Sequence, residues 1–203
     1  MKKNKEKKVK KPITKKEIIG NIVWLVCVAA VLIAVRQFIF TPVLVSGHSM
    51  DPTMADRERV FALRSKDIER FDIVTFPAPD EPKKSYIKRV IGLPGDKVKF
   101  VNDQLFINGK EIKEPYLDEF KSKLKEGEYL TTVLDQEGKI HSEFALENLF
   151  DGNDTVPKGK LFVMGDNRQI SKDGRMIGYI DIEDITGNVK FSFWPPSKFG
   201  KVE

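Results

Sequence analysis

Arg70–Ile91 reads RFDIVTFPAPDEPKKSYIKRVI. Its two ends, Arg70–Phe76 and Tyr86–Ile91, are short, β-branched and apolar-rich, and PAPDEPKKS between them is full of turn-formers. That is a strand, a turn and a second strand. The same punctuation continues outward. Val98–Val101 and Gln104–Ile107 flank Asn102-Asp103, and Asn108-Gly109 marks another tight turn. Leu161–Met164, Gly178–Ile182 and Asn188–Trp194 add three more predicted strands. Helical spacing is confined to Tyr116–Leu130, where Tyr116, Phe120 and Leu124 recur every four residues, and predicts at most one short helix. The count predicts an all-β domain. Residues 41–114 and 158–203 form its core, and the more polar, less regular 115–157 an insertion or cap.

Upstream the pattern changes. Ile18–Val35 reads IIGNIVWLVCVAAVLIAV, with Asn21 its one strongly polar side chain. Carried on through Arg36 to Phe40, a helix here spans roughly 34 Å, enough for a bilayer core of about 30 Å. A cleavable signal has a shorter apolar run and a small-x-small site after it. FIFTPVLVSG follows instead, so 18–40 reads as one retained transmembrane helix. Residues 1–17 carry nine Lys and two Glu, which puts this tail on the cytoplasmic side, with a secondary attraction to anionic lipid. Everything past Phe40 then faces outward. At no more than about 3.6 Å per residue, Ser49 lies within roughly 30 Å of the end of the span.

Charge and composition exclude several classes. The formal net charge is +5, but the tail alone holds +7, so the remainder is close to neutral. A nucleic-acid protein carries its basic stripe on the folded domain, and this one does not. Cys27 is the sole cysteine, so there is neither a disulfide framework nor a Cys-rich zinc site, and no cofactor motif is visible. His48 and His141 are the two histidines, and neither stands in a recognisable Ser-His-Asp context.

Three polar segments interrupt the apolar strands. In Ser46–Met54 (SGHSMDPTM), Ser49 sits between freely rotating Gly47 and rigid Pro52. By itself it is a turn serine. In Ser85–Asp96 (SYIKRVIGLPGD), strand alternation puts Tyr86, Lys88 and Val90 on one face and Ile87, Arg89 and Ile91 on the other. One of two adjacent cations must therefore lie on the buried face. Either Lys88 is solvated and Arg89 paired, or Lys88 is desolvated, with a pKa low enough to take a proton from a serine hydroxyl. In Gly165–Gly178 (GDNRQISKDGRMIG), Asp173 and Arg175 are spaced to pair across a loop beside Ser171. Met50 and Met54 fit a core or a membrane surface equally well.

Together, in this order and spacing, the basic tail, the single span, SGHSMDPTM, RFDIVTF, YIKRVIGLPGD and GDNRQISKDGR resemble the bacterial type I signal peptidases, in particular the short Gram-positive-type members. The resemblance covers nearly the whole chain. It implies a catalytic domain of antiparallel sheets, with Ser49 as nucleophile and Lys88 as general base. It further implies that Ser171 hydrogen-bonds Lys88, that Asp173 and Arg175 hold the loop, and that Asp166 and Asn167 shape it. The substrates implied are signal peptides of exported preproteins, with small residues one and three positions before the cut, and no cofactor or metal. The implied location is the cell membrane, with the catalytic domain extracytoplasmic. Two positions depart from the family pattern. Where some members have a serine two residues before the nucleophile, this chain has Gly47, so the oxyanion hole rests on backbone N–H groups, that of Ser49 included. Where some have Asn before the serine matching Ser171, this chain has Ile170. A cytosolic self-cleaving repressor with a Ser-Lys dyad would need a DNA-binding domain and no span. A non-catalytic relative would not need Ser49 and Lys88 intact.

Overall fold

The computed structural model describes residues 14–81, 83–150 and 152–202, apart from the side chains of Gln37 and Phe38. Most of the expected basic tail lies outside these residues. The chain divides after Ile39 into two units. The first holds helix α1, Lys15–Phe38. Thr14 and Glu17 start it with a capping box, each side chain bonded to the other's backbone N–H. That signal, TKKE, puts the start three residues before the expected 18. The end also moves: Ile39 closes the last turn on Val35, and Phe40, expected in the span, opens a strand. The stretch Lys15–Arg36 is long and apolar enough to cross a membrane, and its apolar side chains are exposed.

The second unit is sheet-built. Its main sheet runs in the order β1 (Phe40–Leu44), β2 (Arg59–Leu63), β13 (Gly187–Trp194), β3 (Ile73–Pro77), β4 (Ser85–Gly92), β11 (Lys160–Met164), β12 (Ile180–Asp181), with β14 (Gly200–Lys201) on β13. All these pairs are antiparallel. A second sheet orders β10 (Glu143–Ala145), β5 (Val98–Val101), β6 (Gln104–Ile107) and β7 (Lys110–Ile112), and β8 (Val133–Leu134) pairs with β9 (Ile140–His141). Among the described residues, three one-turn α-helices, α2 (Asp118–Lys121), α3 (Leu146–Leu149) and α4 (Gly174–Ile177), and three 3-10 turns, at Pro115–Leu117, Ile182–Asp184 and Pro196–Lys198, complete it. The spacing at Tyr116–Leu130 thus yields one short helix, α2, while α3 and α4 carry no readable period in a single turn. Strand β10 lies within 115–157, yet it pairs with β5, and Phe144 stacks on Phe100 in the core.

The first strand pair read from the sequence is β3–β4, with Val74 opposite Lys88 and Ile73 opposite Arg89. Each face of this pair meets a different apolar cluster. Val74, Phe76 and Val90 join Leu161, Val163, Ile180 and Ile185 on one side, with Tyr86 packed against them. Ile73 joins Met50, Met54, Val60, Ala62 and Val189 on the other, with Ile87 packed against them. The alternation is the one expected, but both faces are covered. Burial of Met50 and Met54 also answers where those side chains go: they pin the segment carrying Ser49 onto the sheet.

Candidate active site

Ser49 is delivered by the segment after β1, at a turn where Gly47 adopts φ +88° and its N–H donates to Asp56 Oδ1 at 2.8 Å. Only glycine takes that backbone region without strain. Lys88 comes from the middle of β4. Its Nζ donates to Ser49 Oγ at 2.8 Å, and the residue is 3% exposed. Burial pushes the ammonium from 10.5 down to about 8, against the opposing pull of the Asp173 and Asp166 carboxylates. Tyr86, two residues earlier on the same face, holds its ring under the ammonium, 5.2 Å from centroid to Nζ.

Of the two adjacent cations, neither is solvated: Arg89 is 2% exposed. Its Nε and Nη2 donate to the two oxygens of Asp166 at 2.9 and 2.7 Å, and Nη1 donates to Phe71 O at 3.0 Å. Thr53 Oγ1 also donates to Asp166, at 2.6 Å. The Ser49 segment, β4 and the loop after β11 thus meet at one buried carboxylate.

That loop lies directly on Ser49. Asn167 N–H donates to Ser49 O at 3.1 Å. Gly165 is needed for the approach, because a Cβ there would stand 2.1 Å from Ser171 Oγ and 2.5 Å from Ser49 O. Asp173 is fully buried, accepting from Gly165 N–H at 3.0 Å and from Arg175 Nε and Nη2, both at 2.9 Å. Arg175 reaches on to Thr132 O and Arg168 O. The Asp173–Arg175 pair is therefore present and bonded to the loop backbone. The Ser171–Lys88 hydrogen bond is not: Ser171 Oγ is buried without a partner among the described residues. Lys88 Nζ bonds the Ser49 hydroxyl instead.

Sequence reading missed the next layer. Arg168, inside the loop motif, has a fully buried side chain. It donates to Gly165 O at 3.0 Å and Thr131 Oγ1 at 2.9 Å, and pairs with Glu114. Arg89 also stacks its guanidinium 3.9 Å over the ring of Tyr116. Nothing local marks Glu114, Tyr116 or Thr131. Only the density of charge in GDNR hinted that a partner was required. His48 is exposed and pairs with Asp51 at 2.9 Å; His141 pairs with Asp135.

Ser49 and Lys88 lie in a cleft of about 690 Å³ lined by residues 41–50, Thr75, Glu81, Ser85, Tyr86, Ile87, Ile170, Lys172 and Thr186. A smaller hollow of about 350 Å³ over β5 and β6 holds the exposed Lys97–Asp154 pair and no nucleophile beside a base. Chemistry belongs to the first. Both of its long walls offer strand edges: among the described residues β1 is paired only with β2, and Ser85–Lys88 only with β3.

Residues 17–194 match the family described as signal peptidase, peptidase S26. Over 189 residues the chain is 41% identical to signal peptidase IB of Staphylococcus aureus strain COL, covering 91% of this chain and 94% of that one. It is 38% identical over 179 residues to signal peptidase I of Streptococcus pneumoniae strain ATCC BAA-255 / R6, covering 81% and 87%. Among solved structures, a signal peptidase I from Enterococcus faecalis V583 superposes with a TM-score of 0.53 at 36% identity, over 60% of this chain and 96% of that one.

Proposed function

The chain belongs to the signal peptidase family, peptidase S26, as a serine endopeptidase that removes signal peptides from preproteins, and we propose that it does so with Ser49 as nucleophile and Lys88 as general base. The observation that carries this reading is the 2.8 Å separation of Lys88 Nζ and Ser49 Oγ around a buried, readily deprotonated amine.

In its neutral form Lys88 takes the Ser49 proton as Oγ adds to the scissile carbonyl. The oxyanion is held by backbone N–H groups, that of Ser49 among them. As the tetrahedral intermediate collapses, the Lys88 ammonium returns the proton to the leaving amine. The acyl-enzyme ester remains. Water, deprotonated by Lys88, then releases the signal peptide's new carboxylate and restores Ser49. Asp166, Asn167, Ser171, Asp173 and Arg175 support the geometry rather than the proton transfer. The substrate lies extended between the edges of β1 and β4, with small side chains one and three positions before the cut. No metal or cofactor takes part.

The apolar helix fits membrane anchoring. In this reading the enzyme is a single-pass protein of the cell membrane, in contact with lipid and not with nucleic acid. Its basic tail, 1–17, is cytoplasmic, and the core, 41–114 and 158–203 with the 115–157 region, is extracytoplasmic.

The test is cleavage of a purified preprotein. Ser49→Ala and Lys88→Ala should each abolish it with the fold intact by circular dichroism. Lys88→Arg should be equally inactive, because a guanidinium stays protonated. Near-wild-type turnover by any of the three would refute the dyad. A serine-directed acylating inhibitor should label wild type and not Ser49→Ala.

A further inference from the structure

Asp166 and Asn167 are neighbours in the loop after β11, and each takes hold of one end of the segment that carries the nucleophile. Asn167 N–H donates to Ser49 O at 3.1 Å, and the Thr53 hydroxyl donates to Asp166 Oδ2 at 2.6 Å. Between these two clasps the segment closes a turn of its own, Met54 N–H to Met50 O at 3.0 Å, with both methionines buried. The Thr53 clasp continues into the sheet. Asp166 is fully buried, and Arg89 Nε and Nη2 donate to its two oxygens at 2.9 and 2.7 Å. Arg89 directly follows Lys88 on β4. A path of side chains, Thr53 to Asp166 to Arg89, therefore joins the segment of Ser49 to the strand of Lys88. Thr53 Oγ1 also accepts from Arg89 Nη2 at 3.4 Å, so the hydroxyl touches both members of the ion pair.

We propose that Thr53 is a positioning residue of the hydrolysis: through Asp166 its hydroxyl locks the Ser49 segment to the strand that bears Lys88, and so holds Oγ within reach of Nζ. This rests on the Ser49–Lys88 reading above. Burial of Met50 and Met54 keeps the segment on the sheet, but apolar packing is non-directional and sets no exact register. A hydrogen bond to an ionised carboxylate is directional and stronger than a neutral one. A shift of about 1 Å at reacting atoms is enough to cost about 100-fold in rate. The hydroxyl also acts on the base from a distance. The charges facing Lys88 all come from the loop after β11: Asp173 and Asp166 oppose the lowering of its pKa by burial, and Arg175 adds to it. Its own strand contributes the uncharged Tyr86 ring. Asp173 is matched by Arg175, and Asp166 by Arg89 together with Thr53. Without the Thr53 donor more of the Asp166 charge reaches Lys88, and the amine keeps its proton to a higher pH.

The measurement is kcat and KM for one signal-peptide substrate across pH, with unfolding followed on the same preparations. Full-length wild type is compared with Thr53→Val, which keeps the shape and loses the hydroxyl, and with Thr53→Ser, which keeps the hydroxyl; Ser49→Ala is the control. Thr53→Val should lose about 10- to 100-fold in kcat with KM within about twofold, and the midpoint of its kcat/KM profile should move to higher pH. Thr53→Ser should restore both. Thr53→Cys, whose thiol is a weak donor, should behave as Thr53→Val and replaces it if the valine variant does not fold. A kcat within about twofold of wild type in the folded variant without the hydroxyl would overturn the proposal, as would an equal loss in Thr53→Ser. A fall in kcat with the midpoint unmoved would mark a merely structural threonine, and overturn it too. Cleavage by the Ser49→Ala control would instead overturn the catalytic reading, and the proposal with it.

Discussion

At the scale of single residues, the functional lysine is also an energetic liability. Lowering its pKa from 10.5 to about 8 corresponds to roughly 3 kcal/mol of folding free energy at neutral pH. The sign follows from proton counting. Between about pH 8 and 10.5 the unfolded chain keeps the Lys88 proton and the folded chain has lost it, so stability rises with pH through that window. Below it the full cost stands. Lys88→Met should therefore abolish cleavage and yet stabilise the protein at pH 7 by up to about 3 kcal/mol, an advantage that shrinks toward pH 10. Denaturant titrations of both proteins at pH 7 and pH 10 check it. In the wild type, kcat/KM should climb with pH and reach half its plateau near 8, where the free enzyme's amine becomes neutral. A profile flat from pH 6 to 9 would contradict the role given to Lys88.

Among the elements, the loop 165–175 is the one that makes the site. It has only the single turn of α4 as regular structure, so its shape comes from buried charge. Asp166 is tied to β4 by Arg89, Asp173 to the loop's own start at Gly165, and Arg168 to Glu114 just after β7. A buried pair gains little over an apolar substitute, but removing one partner leaves an uncompensated charge, at a cost of about 3–5 kcal/mol. Glu114→Gln should lose about that much unfolding free energy. Because Arg168 holds Gly165 O, and Gly165 lies against Ser49, kcat should fall more than KM rises. Urea unfolding and steady-state kinetics on the same preparation separate the two effects. A variant as unstable as expected but with kcat intact would show that Glu114 supports the fold and not the site.

For the whole molecule, the unit Phe40–Glu203 contains every residue assigned to the chemistry, together with its three apolar clusters. The helix Lys15–Phe38 adds none of them. Its contribution is encounter: an enzyme and a substrate held in one membrane meet at a raised effective concentration without any new contact. Removing residues 1–35 should leave a chain that folds and cleaves short peptides at wild-type rates. Membrane-inserted preprotein, at equal total enzyme, should be processed much more slowly. Equal rates in proteoliposomes for the full-length and truncated enzymes would refute a role for the anchor in catalysis.

The sequence by itself determined the parts that local physics controls. A long apolar run, interrupted by Asn21, fixed the presence of the helix though not its ends, period-two runs with Gly, Pro and Asn punctuation fixed the long strands of the main sheet, and alternation along Tyr86–Ile91 fixed which side chains share a face. It also carried the motifs, and so the expected pairing of Ser49 with Lys88. Strands such as β1, β2 and β10 were not legible, because a strand this short shows only when a turn signal marks its ends: Asn102-Asp103 and Asn108-Gly109 gave away β5 and β6, and no such pair flanks the other three. Whether Lys88 is dry was undecidable from β4 alone, since that depends on what the rest of the chain packs around it: the segment carrying Ser49, whose hydroxyl it bonds, and the loop carrying Asp166 and Asp173. Glu114 and Thr131 were invisible as partners of Arg168, lying 54 and 37 residues away in sequence. A buried charge demands a partner wherever the chain can supply one, and only the packing of distant segments decides which residue that is.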